Sequence, residues 1–261
     1  MVITVMAGDS PDRTNLSPHL AELWERWQLG TGIAVSAGRR AEDQAAVMAL
    51  GAQLEFWPWL DAVYRLDAAN DLFIYAAKDA IFGDISAADP LIAAVENAAN
   101  NPLTYAFLQR LQDGDTIHSP LSVGGHVDHR LVHHLTRNML SARKNDRLKV
   151  FYYEEYPYSA PDYKGTNTGH VVKKALEQAT LWFNTNGTVK LQPVAIIHSL
   201  DSIALDAKIA AIDCYHSQIS SFWPDSPAMA DSVRRYTQQV GGEREWYFIR
   251  DDGSPAPSTS P

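Results

Sequence analysis

Four of the nine histidines lie between residues 126 and 134, within the stretch HSPLSVGGHVDHRLVHHLTR at 118–137. His126, Asp128 and His129 follow directly on Gly124-Gly125, with Arg130, His133 and His134 behind them. Imidazoles titrate near neutral pH and their ring nitrogens bind metals. A carboxylate placed between two of them can orient a ring or a metal-bound water. The pattern points to metal-assisted hydrolysis. In that reading His129 is a metal ligand, Asp128 is the orienting carboxylate, and His126 donates a proton or stabilises an oxyanion. The same residues also make an ordinary polar helix start, with Asp128 at the positive end of the dipole and the histidines in solvent. Short H-x-D-H matches arise by chance. If the helix begins early, His126, His129 and His133 share one face, which favours a site.

The cluster sits where a loop enters a helix. Pro120 and the glycine pair read as loop, and LVHHLTRNML reads as a helix carrying Leu131, Val132, Leu135 and Leu140 on its apolar side. Asp115–His118 is the strand leading in. Upstream, Met1–Ala7 reads as a buried strand, Pro18–Trp27 as an amphipathic helix, and the run after Arg39-Arg40 as a second helix stopped by Gly51. Gln53–Phe56 is a short strand, and Asp61 follows it at a strand exit, where open α/β sheets place ligand contacts. Asp61 reads equally well as a helix N-cap. Residues 66–90 read as irregular. Leu148–Tyr153 is a strand, Val171–Phe183 a helix, and Asn186-Gly187 a tight turn before a strand at 188–197. Leu200–Ser217 reads as one long helix, 226–239 as another and Glu245–Arg250 as a last strand. This alternation predicts an α/β chain with a mostly parallel sheet and helices on both faces. The tail at 251–261 has a disordered composition.

With 261 residues, 46% of them hydrophobic and 20% charged, the chain is long enough for one substantial domain. A formal charge of −9 argues against nucleic acid and anionic membrane surfaces as partners. The single cysteine, Cys214, excludes an internal disulfide and predicts a reducing, cytoplasmic setting. No apolar run reaches the roughly 18 residues of a membrane span, and no signal-peptide pattern is present.

Four stretches resemble the PIG-L/LmbE-like zinc-dependent N-deacetylases. They are GGHVDHRLV, the run RRAED from Arg39, WLDAVYR around Asp61, and VFYYEEYPY from Val150. The resemblance spans about residues 1–250 and implies a single Rossmann-like α/β domain that removes an N-acetyl group from a sugar-like small molecule. It implies His129 as a zinc ligand, His126 beside the reacting carbonyl and Asp128 tuning that histidine. Arg39 and Asp61 would hold substrate hydroxyl or anionic groups, and Tyr156 is a further pocket candidate. His216 and Gln218, in CYHSQ, resemble a late family segment near the site.

The family's first motif, H-x-D-D, has no counterpart here. It supplies two zinc ligands and the general base. Asp9, Asp12 and His19 lie near the N-terminus at the wrong spacing. The resemblance therefore implies a domain lacking the family's first strand and helix. Either the natural protein carries roughly 30–50 further residues before Met1, or the chain is a non-catalytic ligand-binding α/β module, or a subunit completed by a partner. In each case this chain alone is expected to be inactive and to hold zinc weakly.

Overall fold

The computed structural model describes residues 1–142, 148–160, 168–185 and 190–250. The tail expected at 251–261 and the turn expected at Asn186-Gly187 lie outside the described residues. In chain order the elements are β1 (Val2–Thr4), α1 (Pro18–Trp27), α2 (Ile33–Ala49), β2 (Leu54–Phe56), β3 (Leu66–Asp67), β4 (Leu72–Phe73), α3 (Lys78–Ile81), α4 (Leu91–Glu96), α5 (Pro102–Arg110) and β5 (Thr116–Pro120). There follow α6 (Val127–Ala142), β6 (Lys149–Tyr153), α7 (Thr168–Thr185), β7 (Leu191–His198), α8 (Ser202–Asp213), α9 (His216–Phe222), α10 (Ser226–Val240) and β8 (Glu243–Arg250). Among the described residues, no helix is long and apolar enough to cross a membrane.

Two compact units emerge. One comprises residues 1–90 and 199–242, the other 91–198 and the segment from 243. In the first unit β1 pairs in parallel with β2, Val2 opposite Leu54 and Thr4 opposite Phe56. The almost wholly apolar N-terminal run yields only a three-residue strand, with Met1 63% and Val2 38% exposed. An apolar run reports β-propensity, not how many neighbours cover it. Local chemistry sets the helices. The Ser17 hydroxyl accepts the Leu20 N–H (3.1 Å), Pro18 starts α1, and Leu20, Leu23, Trp24 and Trp27 turn inward. Gly51, at φ +64°, ends α2 as its sequence indicates.

The segment expected to be irregular contains the β3–β4 hairpin and α3, built around a buried ion pair. Arg65 Nε lies 3.0 Å from Asp89 Oδ2, and both side chains are fully buried. Tyr75 donates its hydroxyl to Asp89 (2.8 Å), and Arg65 Nη1 donates to the Leu60 carbonyl (2.9 Å). The single long helix expected over 200–217 is two helices, α8 and α9. Glu42 explains the break: its carboxylate accepts the Ser217 N–H at 2.8 Å and the Ser217 hydroxyl at 2.7 Å, capping α9 from 175 residues away.

The second unit is a four-stranded sheet in the order β5-β6-β8-β7. β5 and β6 are parallel, and β8 runs antiparallel to both β6 and β7. Helix–strand alternation does not specify that direction, because α8–α10 intervene between β7 and β8. Leu121, Val123, Tyr152, Val172, Ala175, Leu191 and Phe248 form its core. On α6, His133 belongs to the interior. It is 1% exposed, its Nδ1 lies 2.9 Å from the Pro120 carbonyl, and its ring lies 4.7 Å from that of Tyr152.

Asp89→Ala strands a buried guanidinium and costs about 3–5 kcal/mol in urea denaturation. Asp71→Asn, which tolerates the left-handed backbone at this position, removes the charge of the exposed Arg13–Asp71 pair and costs at most about 1 kcal/mol. Burial lowers His133 from its ordinary 6.5 to about 4. The folded state therefore resists a proton that the unfolded state takes up. The stability this ring contributes is whole above pH 6.5 and is lost as pH falls toward 4, about 3 kcal/mol in all. Melting temperatures of wild type and His133→Asn across that window are expected to show a shallower pH dependence in the variant.

Candidate functional site

In the first unit, α2 sends three side chains in three directions from little more than one turn. Arg39 Nη1 donates to Asp61 Oδ2 at 3.1 Å and stacks over Trp27, 4.8 Å from the ring centre. Arg40 donates to the Ala7 carbonyl (2.9 Å) and to Asp9 (2.7 Å). Glu42 caps α9. Asp61 takes the N-cap role: Oδ1 accepts the Val63 N–H at 3.3 Å, while Oδ2 accepts from Arg39. Burial alone would lower the Arg39 guanidinium, but the Asp61 carboxylate, with Tyr64 and Asp43, more than offsets it and raises the group. An open cleft is lined by Gly8, Ser36, Arg39, Asp43, Asp61 and Tyr215, among others. Of the late CYHSQ segment it is Tyr215, not His216, that lines this cleft; Gln218 donates to Ser217 Oγ (2.8 Å).

In the second unit, the loop from Leu121 enters α6 through two residues with positive φ, Ser122 (+70°) and Gly125 (+71°). Glu155, just past β6, fixes this turn. Its Oε1 accepts the Ser122 N–H at 2.6 Å and its Oε2 the Val123 N–H at 2.9 Å. The same carboxylate lies 3.3 Å from His129 Nδ1. Gly124 lies against Tyr158 so closely that a Cβ there would stand 2.5 Å from the ring's Cγ. Tyr158 in turn stands edge-on to His129, ring centres 5.8 Å apart. Tyr156, the expected pocket residue, is half-buried two residues earlier.

His126 and His129 have ring centres 5.2 Å apart. His126 Nδ1 accepts the Asp128 N–H at 3.2 Å and lies 4.0 Å from Asp128 Oδ2. A neutral His126 therefore carries its proton on Nε2, where it can donate to an incoming oxygen. Asp128 itself is buried. His133, on the same helix, is claimed by the core, so the shared-face triple reduces to a pair. His134 is lowered to about 3, chiefly by burial.

A catalytic zinc needs about three protein donors. Among the described residues, no group of three His, Cys, Asp or Glu side chains is arranged to hold a metal ion. His126 Nδ1 is occupied by the Asp128 N–H, and Glu155 by two loop amides. Among the described residues, the donors around His126 and His129 do not fit a three-ligand zinc site.

Arg39 and Asp61 thus meet in one unit, and His126, Asp128 and His129 meet in the other. Glu155, Tyr158, Asp43 and Tyr215 were not singled out by sequence. Each nonetheless lies inside a stretch that carried the resemblance: Glu155 and Tyr158 in VFYYEEYPY, Asp43 in RRAED and Tyr215 in CYHSQ.

No family model and no curated protein matches this sequence. Solved structures do resemble it. A zinc-inhibited form of teicoplanin deacetylase Orf2 matches at a TM-score of 0.67 and 20% identity, over 97% of this chain and 88% of that one. A deacetylase–teicoplanin complex matches at 0.68 and 18%, over 97% and 88%. The A40926 pseudoaglycone deacetylase Dbv21 matches at 0.60 and 20%, over 95% and 84%. At these identities the likeness establishes the fold: this chain is built on the mixed α/β fold of those deacetylases.

Proposed function

We propose that this chain is a deacetylase-type module of the PIG-L/LmbE kind that takes an N-acetylated, sugar-like small molecule in a cytoplasmic setting. The observation that carries the reading is the GGHVDH turn, held by Glu155 with His126 and His129 side by side. In this reading the protonated Nε2 of His126 donates to the acetamide oxygen. Asp128 holds the other face of that ring through its backbone N–H. Glu155 sets the orientation of His129 and the path of the loop. By the resemblance, Arg39 and Asp61 of the first unit would contact ligand hydroxyls, and Tyr156 of the second is a pocket candidate. Zinc dependence belongs to the proposal through the resemblance alone. The incomplete donor set supports a further point: the 261-residue chain by itself holds zinc weakly and does not hydrolyse.

A second reading, a non-catalytic ligand-binding module, is favoured by one observation. The Arg39–Asp61 cleft draws all of its lining from the first unit, whereas the metal donors are incomplete.

Metal content by mass spectrometry, with amine release from N-acetylglucosamine before and after chelation, tests the proposal. Well under one zinc per chain and no chelator-sensitive turnover are expected. One tightly held zinc with robust turnover would refute the inactivity. Glu155→Gln is expected to free the turn, costing about 1–3 kcal/mol and speeding hydrogen exchange at the Ser122 and Val123 amides. Unchanged exchange there would show that Glu155 does not hold the loop.

A further inference from the structure

The cleft of the first unit has a charge pattern that restricts its ligand. Two arginines line it, Arg39 and Arg40, and two aspartates, Asp43 and Asp61. Their formal charges cancel. Each arginine already meets a carboxylate, Arg39 with Asp61 and Arg40 with Asp9. An anionic ligand would have to break one of these pairs and leave an aspartate facing its own charge. A neutral ligand meets no such penalty.

The lining also alternates donors and acceptors. Ser36, Arg40 and Asp43 project from one side of α2, and Asp43 stands one helical turn after Arg39. Facing them is Tyr215, at the break between α8 and α9. Its place is fixed by the Glu42 cap on Ser217, two residues on. Tyr215 shares the cleft lining with Asp43, and burial, reinforced by the nearby Asp43 charge, keeps the phenol protonated. The pair therefore offers one O–H donor, one carboxylate acceptor and an aromatic edge. Vicinal hydroxyls on a saturated ring can use all three, whereas a phosphate or carboxylate group meets Asp43 as a like charge.

We propose that Tyr215 and Asp43 form a selectivity pair that fits this cleft to an uncharged, hydroxyl-bearing ring and turns away phosphate- or carboxylate-bearing ones. The inference rests on the sugar-like ligand proposed above and goes beyond it by naming the charge class and the residues that impose it.

Isothermal titration of the full chain with methyl N-acetyl-β-glucosaminide and with N-acetylglucosamine 6-phosphate tests it. Wild type is expected to bind the neutral sugar at least about tenfold more tightly than the phosphorylated one. Tyr215→Phe, which keeps the ring, is expected to weaken the neutral sugar about tenfold. Asp43→Asn is expected to narrow the gap between the two sugars. Thermal melts of both variants establish that they fold. Equal affinity of wild type for the two sugars, or an unchanged ratio in a folded Asp43→Asn, overturns the selectivity pair while leaving a sugar ligand standing. Binding of neither sugar by wild type removes the sugar reading and the selectivity pair with it.

Discussion

A guanidinium fully removed from water is the constraint on which the first unit depends. Arg65 must be compensated where it lies, and Asp89 answers it from 24 positions further along the chain. The intervening segment has little regular structure, yet it cannot wander, because Tyr75 bonds Asp89 and the Ser86 N–H in turn meets the Tyr75 hydroxyl at 3.2 Å. Arg65 also holds the carbonyl of Leu60, the residue before Asp61. The carboxylate that faces Arg39 is thus presented by a backbone tied to the buried pair. The cleft inherits its shape from a charge that never touches it.

The second unit solves a similar problem with two consecutive glutamates. Glu154 accepts both Arg244 nitrogens, at 2.6 and 2.9 Å, and the Trp246 indole at 2.7 Å, joining the end of β6 to β8. Glu155 turns to the other partner set and closes on the loop entering α6. Adjacent residues leaving a strand point to opposite sides. One glutamate secures the sheet while its neighbour secures the histidine turn.

Much of this was legible in the sequence because it is local. Pro18 starts α1, Gly51 ends α2, and the glycine pair introduces α6, all from residues within a few positions of the event. His126 and His129 were named from their spacing, Asp61 from its place at a strand exit, and Arg39 through the family resemblance. What stayed hidden depends on partners far away in sequence. The break between α8 and α9 requires Glu42, so the apolar run through Cys214 read as continuous. The burial of His133 requires the Pro120 carbonyl and the Tyr152 ring, so its helical spacing alone grouped it with the surface histidines. The direction of β8 depends on where the chain returns after three helices.

The three-way projection from α2 has a consequence for how this helix can change. Arg39 serves the cleft, Arg40 the turn after β1, and Glu42 the start of α9. Those partners sit on separate segments, and only one rotational phase of the helix satisfies all three. A single-residue insertion or deletion ahead of Arg39 turns the helix by about 100° and takes every one of these contacts out of phase together. Point substitutions at exposed Gln44 and Ala45 leave the phase intact. The helix is therefore tolerant in composition and intolerant in length, with its register acting as the shared reference for three stretches far apart in sequence.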